Sequence, residues 1–474
     1  MITRALLVAL MMGSTICAVA QPKGREGPSV DFKHGDLRVS DNKRFLVHAD
    51  GAPFFYLGDT AWELFHRLTM EQAERYLENR RGYGYTAIQC VILPEFDGLK
   101  TPNRQGHLPL IDYDPAKPNE AYFKDVDAVL AMAERKGLYL ALLPTWGDKV
   151  NKKWGQGPEI FTPENAKVYG AFLGRRYADR PNVIWILGGD RPVENDTHRE
   201  IWRAMAAGIQ SADKRHLVGY HPQGRAASST FWPDEPWLAF HMIQSGHNGR
   251  DTANYESIAK DYARTPTKPV FDGEPRYEDH PVRGSKLPKD YFNDFDVRQA
   301  AYWAVFAGGF GHTYGSHSIW SMHSPETPAP GKLAAEMLFT WDKAIDRPGS
   351  AQMAHLRRLM ESRPFLSRIP DQSLIVGENP KGAGHRVATR GDGYAMVYVP
   401  DGGKVTLELK GANLGPKVRA WLFDPRDGSA KELETFEAAE RKEFVLPGEV
   451  GRGNDWVIVL DDSGKGLGIP GSVK

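Results

Sequence analysis

The chain has 474 residues, enough for one large barrel-sized domain plus a smaller module. Hydrophobic residues make up 41% and charged residues 25%, the balance of a folded protein and not of a disordered one. Sixty Lys and Arg against sixty Asp and Glu leave zero formal net charge, which excludes the basic footprint of a nucleic-acid or anionic-lipid binder.

In chain order, the first twenty residues read as a targeting segment. Arg4 supplies a positive start, Ala5 to Met12 is an apolar run too short to span a membrane, and Ala18-Val19-Ala20 is a small-x-small cleavage site before Gln21. Cys17 raises a lipoprotein alternative, but Ile16 before it is too large for that cleavage. The expected mature chain is secreted or periplasmic, and no later run resembles a membrane span. It retains Cys90 alone, so no intramolecular disulfide is possible. Cys90 sits in the apolar run Ala87 to Leu93, which predicts a buried, inert thiol.

Residues 21–30 are rich in Gly and Pro, and Leu37 to Val47 alternates like a hairpin around Ser40-Asp41-Asn42. Eight short apolar runs follow: Phe54 to Gly58, Thr86 to Leu93, Leu138 to Pro144, Val183 to Leu187, His216 to Tyr220, Leu238 to Ile243, Pro269 to Phe271 and Ala307 to Thr313. Continuous apolar runs of this length are what strands buried on both faces look like. Helix-like stretches lie between them: Thr69 to Arg81, Ala121 to Lys136, Pro163 to Ala178 and Asp196 to Ser211, with Thr69, Thr162 and Asp196 as predicted N-caps. This alternation predicts an α/β fold, a (β/α)8 TIM barrel over residues 30–345. A helical linker over 346–369 would lead into a small all-β sandwich over 370–462. Its expected strands are Ser373 to Val376, Gly384 to Thr389, Tyr394 to Val399, Val405 to Leu409, Val418 to Phe423 and Trp456 to Leu460.

In such barrels the chemistry comes from the C-terminal ends of the strands and the loops after them. Read that way, the first strand offers Asp59 and Trp62, the second Gln89 with Glu95 and Asp97 beyond, and the third Trp146 and Asp148. The fourth offers Asp190, the fifth His221, the sixth His241 and Gln244, the seventh Asp272 and Glu274, and the eighth His312, Tyr314 and Trp320. Asp190 and Glu274 stand out because they come from opposite sides of the barrel mouth. Hydrolysis of a glycosidic bond needs two carboxyl groups, one to protonate the leaving oxygen and one to attack or to activate water. Trp62, Trp146 and Trp320 are candidates for stacking on a sugar face, with core packing as the alternative. Asp59 reads as a partner for a sugar hydroxyl or as a helix N-cap, and Asp272 as a group that tunes Glu274. His221, His241, His312 and His317 read as partners for sugar hydroxyls or for a carboxylate. Metal ligation is the rival reading for these four. Against it, the first strand has no His-x-His and the chain has no His-Glu-x-x-His, so neither metal nor cofactor is expected. The expected partner is a carbohydrate, with no nucleic acid and no membrane.

Four motifs together are similar to one family. Leu57-Gly58-Asp59-Thr60-Ala61-Trp62, Val183 to Asp190, Phe271-Asp272-Gly273-Glu274-Pro275 and Gly311-His312-Thr313-Tyr314-Gly315 resemble the apiosidase-like catalytic domain, glycoside hydrolase family 140. The tail resembles the collagen-binding-type domain that follows it. The resemblance covers roughly residues 35–345 and 370–461. It implies a secreted enzyme that cleaves apiosyl linkages in the plant pectin rhamnogalacturonan II, with Asp190 as acid/base and Glu274 as nucleophile. The expected mechanism is retaining, which requires carboxyl groups about 5–5.5 Å apart. An exo-glycosidase for another pentose, a deoxyhexose or galactose, and a non-catalytic carbohydrate-binding protein, remain the alternatives.

Overall fold

A computed structural model describes residues 27–472; the expected targeting segment, residues 1–20, lies outside them. The eight apolar runs form eight parallel strands: β1 (Tyr56–Thr60), β2 (Ala87–Val91), β3 (Tyr139–Leu143), β4 (Val183–Gly188), β5 (Val218–His221), β6 (His241–Gln244), β7 (Val270–Asp272) and β8 (Gly311–Tyr314). Hydrogen-bonded order runs β5-β4-β3-β2-β1-β8-β7-β6, so β8 pairs with β1 and the sheet curls back on itself. The remaining join, between β5 and β6, is bridged by the Ala239 N–H donating to the Val218 carbonyl at 2.8 Å. The barrel is therefore nearly closed, with Ala226–Ala227 added antiparallel along β6. Every residue of the eight strands is buried, as the unbroken apolar runs require.

Helices follow the strands in step: α1 (Met70–Gly82), α2 (Glu120–Arg135), α3 (Pro163–Tyr177), α4 (Asp196–Ala212), the single turn α5 (Ser228–Phe231), α6 (Asn254–Tyr262), α7 (Asp294–Phe306) and α8 (Pro348–Glu361). Thr69 and Thr162 cap α1 and α3 in reciprocal capping boxes with Gln72 and Asn165. Asp196 is not the cap of α4. Asn195 is, its side chain accepting from the His198 N–H, and Asp196 is the first helical residue, where its charge suits the helix N-terminus. The last apolar run was expected from Ala307, but β8 starts at Gly311. Gly308, at φ +117, turns the chain out of α7 first, and the apolar residues up to Phe310 belong to that turn. Helix α8, inside the segment expected as a linker, packs against α7. Among the described residues no helix is long and apolar enough to cross a membrane. Cys90 is buried on β2, and burial pushes its thiol well above the ordinary value.

The C-terminal region is all β: β9 (Ile369–Pro370), β10 (Val387–Gly391), β11 (Tyr394–Val399), β12 (Lys404–Glu408), β13 (Lys417–Phe423), β14 (Ala430–Glu437), β15 (Arg441–Val445) and β16 (Trp456–Asp462). Six form one sheet in the order β9-β10-β11-β16-β13-β14, and β12 pairs with β15. Sequence patterning missed β14 and β15. Both are charged on both faces and largely exposed, so they carry no apolar alternation; their pairing comes from the neighbours β13 and β12. Conversely, Ser373 to Val376 is a 3-10 turn with one isolated bridge, not a strand.

The sandwich docks on α7. This helix is buried at twelve of its thirteen positions because one side faces the barrel and the other the sandwich, the environment that an all-round apolar helix needs. Its Arg298 makes a two-pronged ion pair with Asp455 at 2.8 and 2.7 Å, and the Tyr398 hydroxyl donates to the same carboxylate at 3.0 Å. Arg363 pairs with Asp461 in the same way, at 2.8 and 2.6 Å.

Candidate active site

A cavity of about 550 Å³ opens at the C-terminal end of the barrel strands. Asp190 and Glu274 both line it. Strand β4 reaches it through two glycines with φ of +88 and +128. A Cβ on Gly188 would stand 2.3 Å from the His221 carbonyl oxygen, and one on Gly189 would stand 2.7 Å from the Gly147 nitrogen. Only glycine passes here, between β5 and the loop after β3. Asp190 follows in the left-handed region, at φ +49. Its backbone N–H donates to His221 Nδ1 at 3.2 Å. Its carboxyl accepts from Trp154 Nε1 (3.1 Å), Arg191 Nη1 (3.0 Å) and the Gly224 N–H (3.3 Å).

Glu274 is held from the opposite side. Its Oε2 lies 2.7 Å from His221 Nε2, and its Oε1 lies 3.2 Å from His247 Nε2. One imidazole therefore touches both halves of the site, with Nε2 on the Glu274 carboxylate and Nδ1 on the backbone of Asp190. That ring packs against both Trp62 and Trp146, each with its centroid 5.4 Å away, and the two indoles meet each other at 5.1 Å.

The two carboxyls are driven apart in proton affinity. At Glu274 burial raises the pKa, but the hydrogen bonds and charges of His221 and His247 outweigh it and bring the group down to about 2. At Asp190 burial and then the nearby charge of Glu274 raise the pKa, against the weaker opposing pulls of Arg191, His221 and Trp154. Glu95, on the cavity wall and paired with Arg191 at 2.8 Å, is raised to about 7, first by burial and then by Asp148 and Asp190, with Arg191 opposing. The site thus sets a carboxyl that holds its charge firmly, Glu274, beside one whose proton affinity is raised, Asp190. That is the division of labour required for acid-assisted displacement at an acetal carbon.

Of the residues picked from sequence, Trp62, Glu95, Trp146, Asp190, Gln244, Glu274 and Trp320 line the cavity. His221 stands directly behind them on Glu274. Other candidates are placed elsewhere. Strand alternation turns Asp59 outward to α1, where it bonds Tyr76 (2.6 Å) and Arg80 (2.5 Å); it neither reaches a sugar nor caps a helix. Tyr314, its partner in register, turns the same way and donates to Glu278 at 2.6 Å. Gln89 reaches across the barrel and donates to the Gly273 carbonyl at 2.8 Å, so it fixes the backbone beside Glu274. His241 and His312 are buried inside the fold, where burial takes each down to about 3. Asp272 is bonded to Ser245 (2.7 Å) and Asn254 (2.9 Å), and not to Glu274, because β7 ends at Asp272 and the alternation stops there. Among the described residues no group of three or more His, Cys, Asp or Glu is placed to hold a metal ion.

Sequence reasoning missed Trp154, His247, Tyr277 and His280 on the cavity wall. All four lie in loops, where periodicity carries no signal. His317, read from sequence as a partner for a sugar hydroxyl or a carboxylate, also lines the cavity.

The family model described as "Apiosidase-like, catalytic domain" matches residues 40–367, and one described as "Putative collagen-binding domain of a collagenase" matches residues 369–461. Comparison with curated proteins returned no match. Among solved structures, one described as "Glycoside hydrolase" is 35% identical, with 93% of this chain and 99% of that chain covered and a TM-score of 0.84. A glycoside hydrolase family 5 structure from Bacteroides vulgatus ATCC 8482 is 34% identical, with 93% and 95% covered and the same TM-score of 0.84. A further structure from that organism, at 16% identity and a TM-score of 0.65, shares the fold alone. With two carboxyl groups of opposed proton affinity at the mouth of a barrel matched over most of the chain, this protein belongs to the apiosidase-like family and is a glycoside hydrolase.

Proposed function

We propose that the enzyme cleaves apiosyl linkages in pectic, rhamnogalacturonan II-type glycans of the plant cell wall, by a retaining mechanism with Asp190 as acid/base and Glu274 as nucleophile. The observation that carries the residue roles is the split between Glu274, held at about 2, and Asp190, held above its ordinary value in the same cavity. In the first step the Asp190 proton passes to the glycosidic oxygen. The bond from that oxygen to the anomeric carbon breaks, and a Glu274 oxygen bonds to the same carbon. In the second step Asp190, now a carboxylate, takes a proton from water, and the resulting hydroxide displaces Glu274. Two displacements at one carbon retain the anomeric configuration. That the Glu274 charge acts on Asp190, and that both carboxyls line one cavity, supports their acting on the same bond.

The sugar assignment rests on the family and on the motifs that carry it, and secretion rests on the character of residues 1–20. For the C-terminal sandwich we favour a stabilising role, on the strength of the buried Arg298–Asp455 and Arg363–Asp461 pairs that bind it to the barrel.

The test is hydrolysis by wild type and Glu274→Gln of aryl glycosides and plant cell-wall oligosaccharides, with product analysis and NMR of the released anomer. The expected result is one released sugar, of retained configuration, from wild type and none from the variant. Wild-type rates in Glu274→Gln would remove the nucleophile assignment, and an inverted product would remove the mechanism.

A further inference from the structure

Trp154 stands apart from every other aromatic side chain of the site. It is 61% exposed, whereas Trp62 and Trp146 are almost wholly buried. Exposure does not reflect a loose loop. Asp148 accepts the backbone N–H groups of Gln156 (3.1 Å) and Gly157 (2.9 Å), Asn151 donates to the Pro192 carbonyl (2.9 Å), and Lys153 pairs with Glu194 (2.5 Å). A Cβ on Gly155 would stand 2.4 Å from that of Asp148, so the turn is pressed against its anchor. The ring itself is fixed at its N–H edge and on one face. Its Nε1–H donates to Asp190 Oδ2 at 3.1 Å, and the Arg191 guanidinium lies over it, 5.0 Å from the centroid. The exposed area therefore falls on the rest of the ring, at the rim of the cavity.

Nothing in the packing asks for an indole here. A hydrogen bond to Asp190 could come from a small amide or hydroxyl side chain, and holding a large apolar face in water contributes nothing to folding. Its position gives the reason. Asp190 is the group that hands its proton to the departing oxygen, so whatever abuts Asp190 from the solvent side faces the departing half of the substrate. We propose that Trp154 is the stacking platform for the sugar unit on the leaving side of the scissile bond, and that the enzyme consequently selects linkages between two sugars over glycosides of small leaving groups. A pyranose ring presents a flat face of C–H groups that packs on an indole, while its rim hydroxyls remain in water. This inference rests on the assignment of Asp190 as the acid.

The test compares wild type, Trp154→Ala and Trp154→Phe in the full-length protein on two probes: rhamnogalacturonan II oligosaccharides and apiosyl fluoride. The fluoride has no sugar on the leaving side and needs no proton. In Trp154→Ala the ratio of kcat/KM for the oligosaccharides to kcat/KM for the fluoride is expected to fall about tenfold, mostly through KM, the effect of about 1.4 kcal/mol. Trp154→Phe keeps a flat ring and should hold that ratio within about threefold of wild type. Both variants lose the indole N–H, which lowers the proton affinity of Asp190, so both should move the alkaline limb of the oligosaccharide profile to higher pH. A parallel fall on both probes in Trp154→Ala would make Trp154 a support for its loop and overturn the proposal while leaving the function intact. Failure of wild type to act on either probe would overturn the functional reading and this inference with it.

Discussion

His221→Phe tests the electrostatic core of the site. Phenylalanine keeps a ring packed against Trp62 and Trp146 but donates nothing to Glu274. In the native site Glu274 sits at about 2 against an ordinary 4.5, which corresponds to about 3 kcal/mol in favour of its charged form. Burial works against that preference, and His221 is the largest of the contributions that overcome it. With His221 gone, the 3.2 Å contact with His247 alone must offset burial. The carboxyl is then expected to return to its ordinary value or above. In wild type, the acid limb of kcat/KM lies near pH 2, at the edge of any practical assay. In His221→Phe it should appear between about pH 4 and pH 6, so that the variant's deficit at pH 4 exceeds its deficit at pH 7. Stability follows with a definite sign. A carboxyl with a lowered folded pKa stabilises the fold above its unfolded value of 4.5 and loses that contribution as the pH falls towards about 2. The variant should therefore melt below wild type at pH 7, by a margin that narrows in acid. Superimposable pH–rate profiles for the two proteins would refute the reasoning, since His221 would then not be what keeps Glu274 charged.

Two further perturbations probe the wall and the frame. Glu95 is raised to about 7, so the folded state is penalised progressively as the pH rises from 4.5 to about 7 and by a constant amount above. Glu95→Gln removes that penalty, and the melting temperature of the variant relative to wild type should be more favourable at pH 8 than at pH 4.5; the reverse order would show that Glu95 titrates in its ordinary range. Asp455→Ala leaves Arg298 buried beside α7 without its two-pronged partner, a loss of about 3–5 kcal/mol. Because the pair joins sandwich to barrel, calorimetry should record one transition shifted down for the whole chain, and two separated transitions would show that the domains unfold independently.

The barrel was legible in sequence because each strand is buried on both faces and spells itself out as an unbroken apolar run, from Thr86 to Leu93 through Val183 to Leu187. The two carboxyls proposed to react, both on the cavity wall, stood out because glycines or strand ends precede them: Gly188-Gly189 before Asp190 and Gly273 before Glu274. What was lost follows from two physical limits. Position near a strand end does not tell which way a side chain points, and one step of alternation sends Asp59 to Arg80 and Tyr314 to Glu278 instead of into the cavity. Loop residues carry no period at all, so His247 and Trp154, which grip Glu274 and Asp190 directly, left no mark. The charged strands Ala430–Glu437 and Arg441–Val445 were hidden for a related reason, since both are largely exposed and Phe444 alone among their residues is buried.

The wiring of the site also accounts for how one aspartate can serve in both steps of the proposed reaction. The charge on Glu274 is the second cause, after burial, that raises the proton affinity of Asp190. When Glu274 bonds to the anomeric carbon, that charge is gone. Asp190 has by then given up its proton, and what remains around its carboxylate is Arg191, the Trp154 N–H and the Gly224 N–H, all of which stabilise the charged form. Its proton affinity falls when it must wait as a base, and rises again when water has freed Glu274. His221 is bound to both sides throughout, by Nε2 to the nucleophile and by Nδ1 to the backbone of the acid. A displacement of the Glu274 carboxyl or of the Asp190 backbone would disturb that ring, which packs against Trp62 and Trp146. The buried tryptophans of the site thus act on geometry, through the histidine they pack against, while the exposed one is left free to meet the substrate.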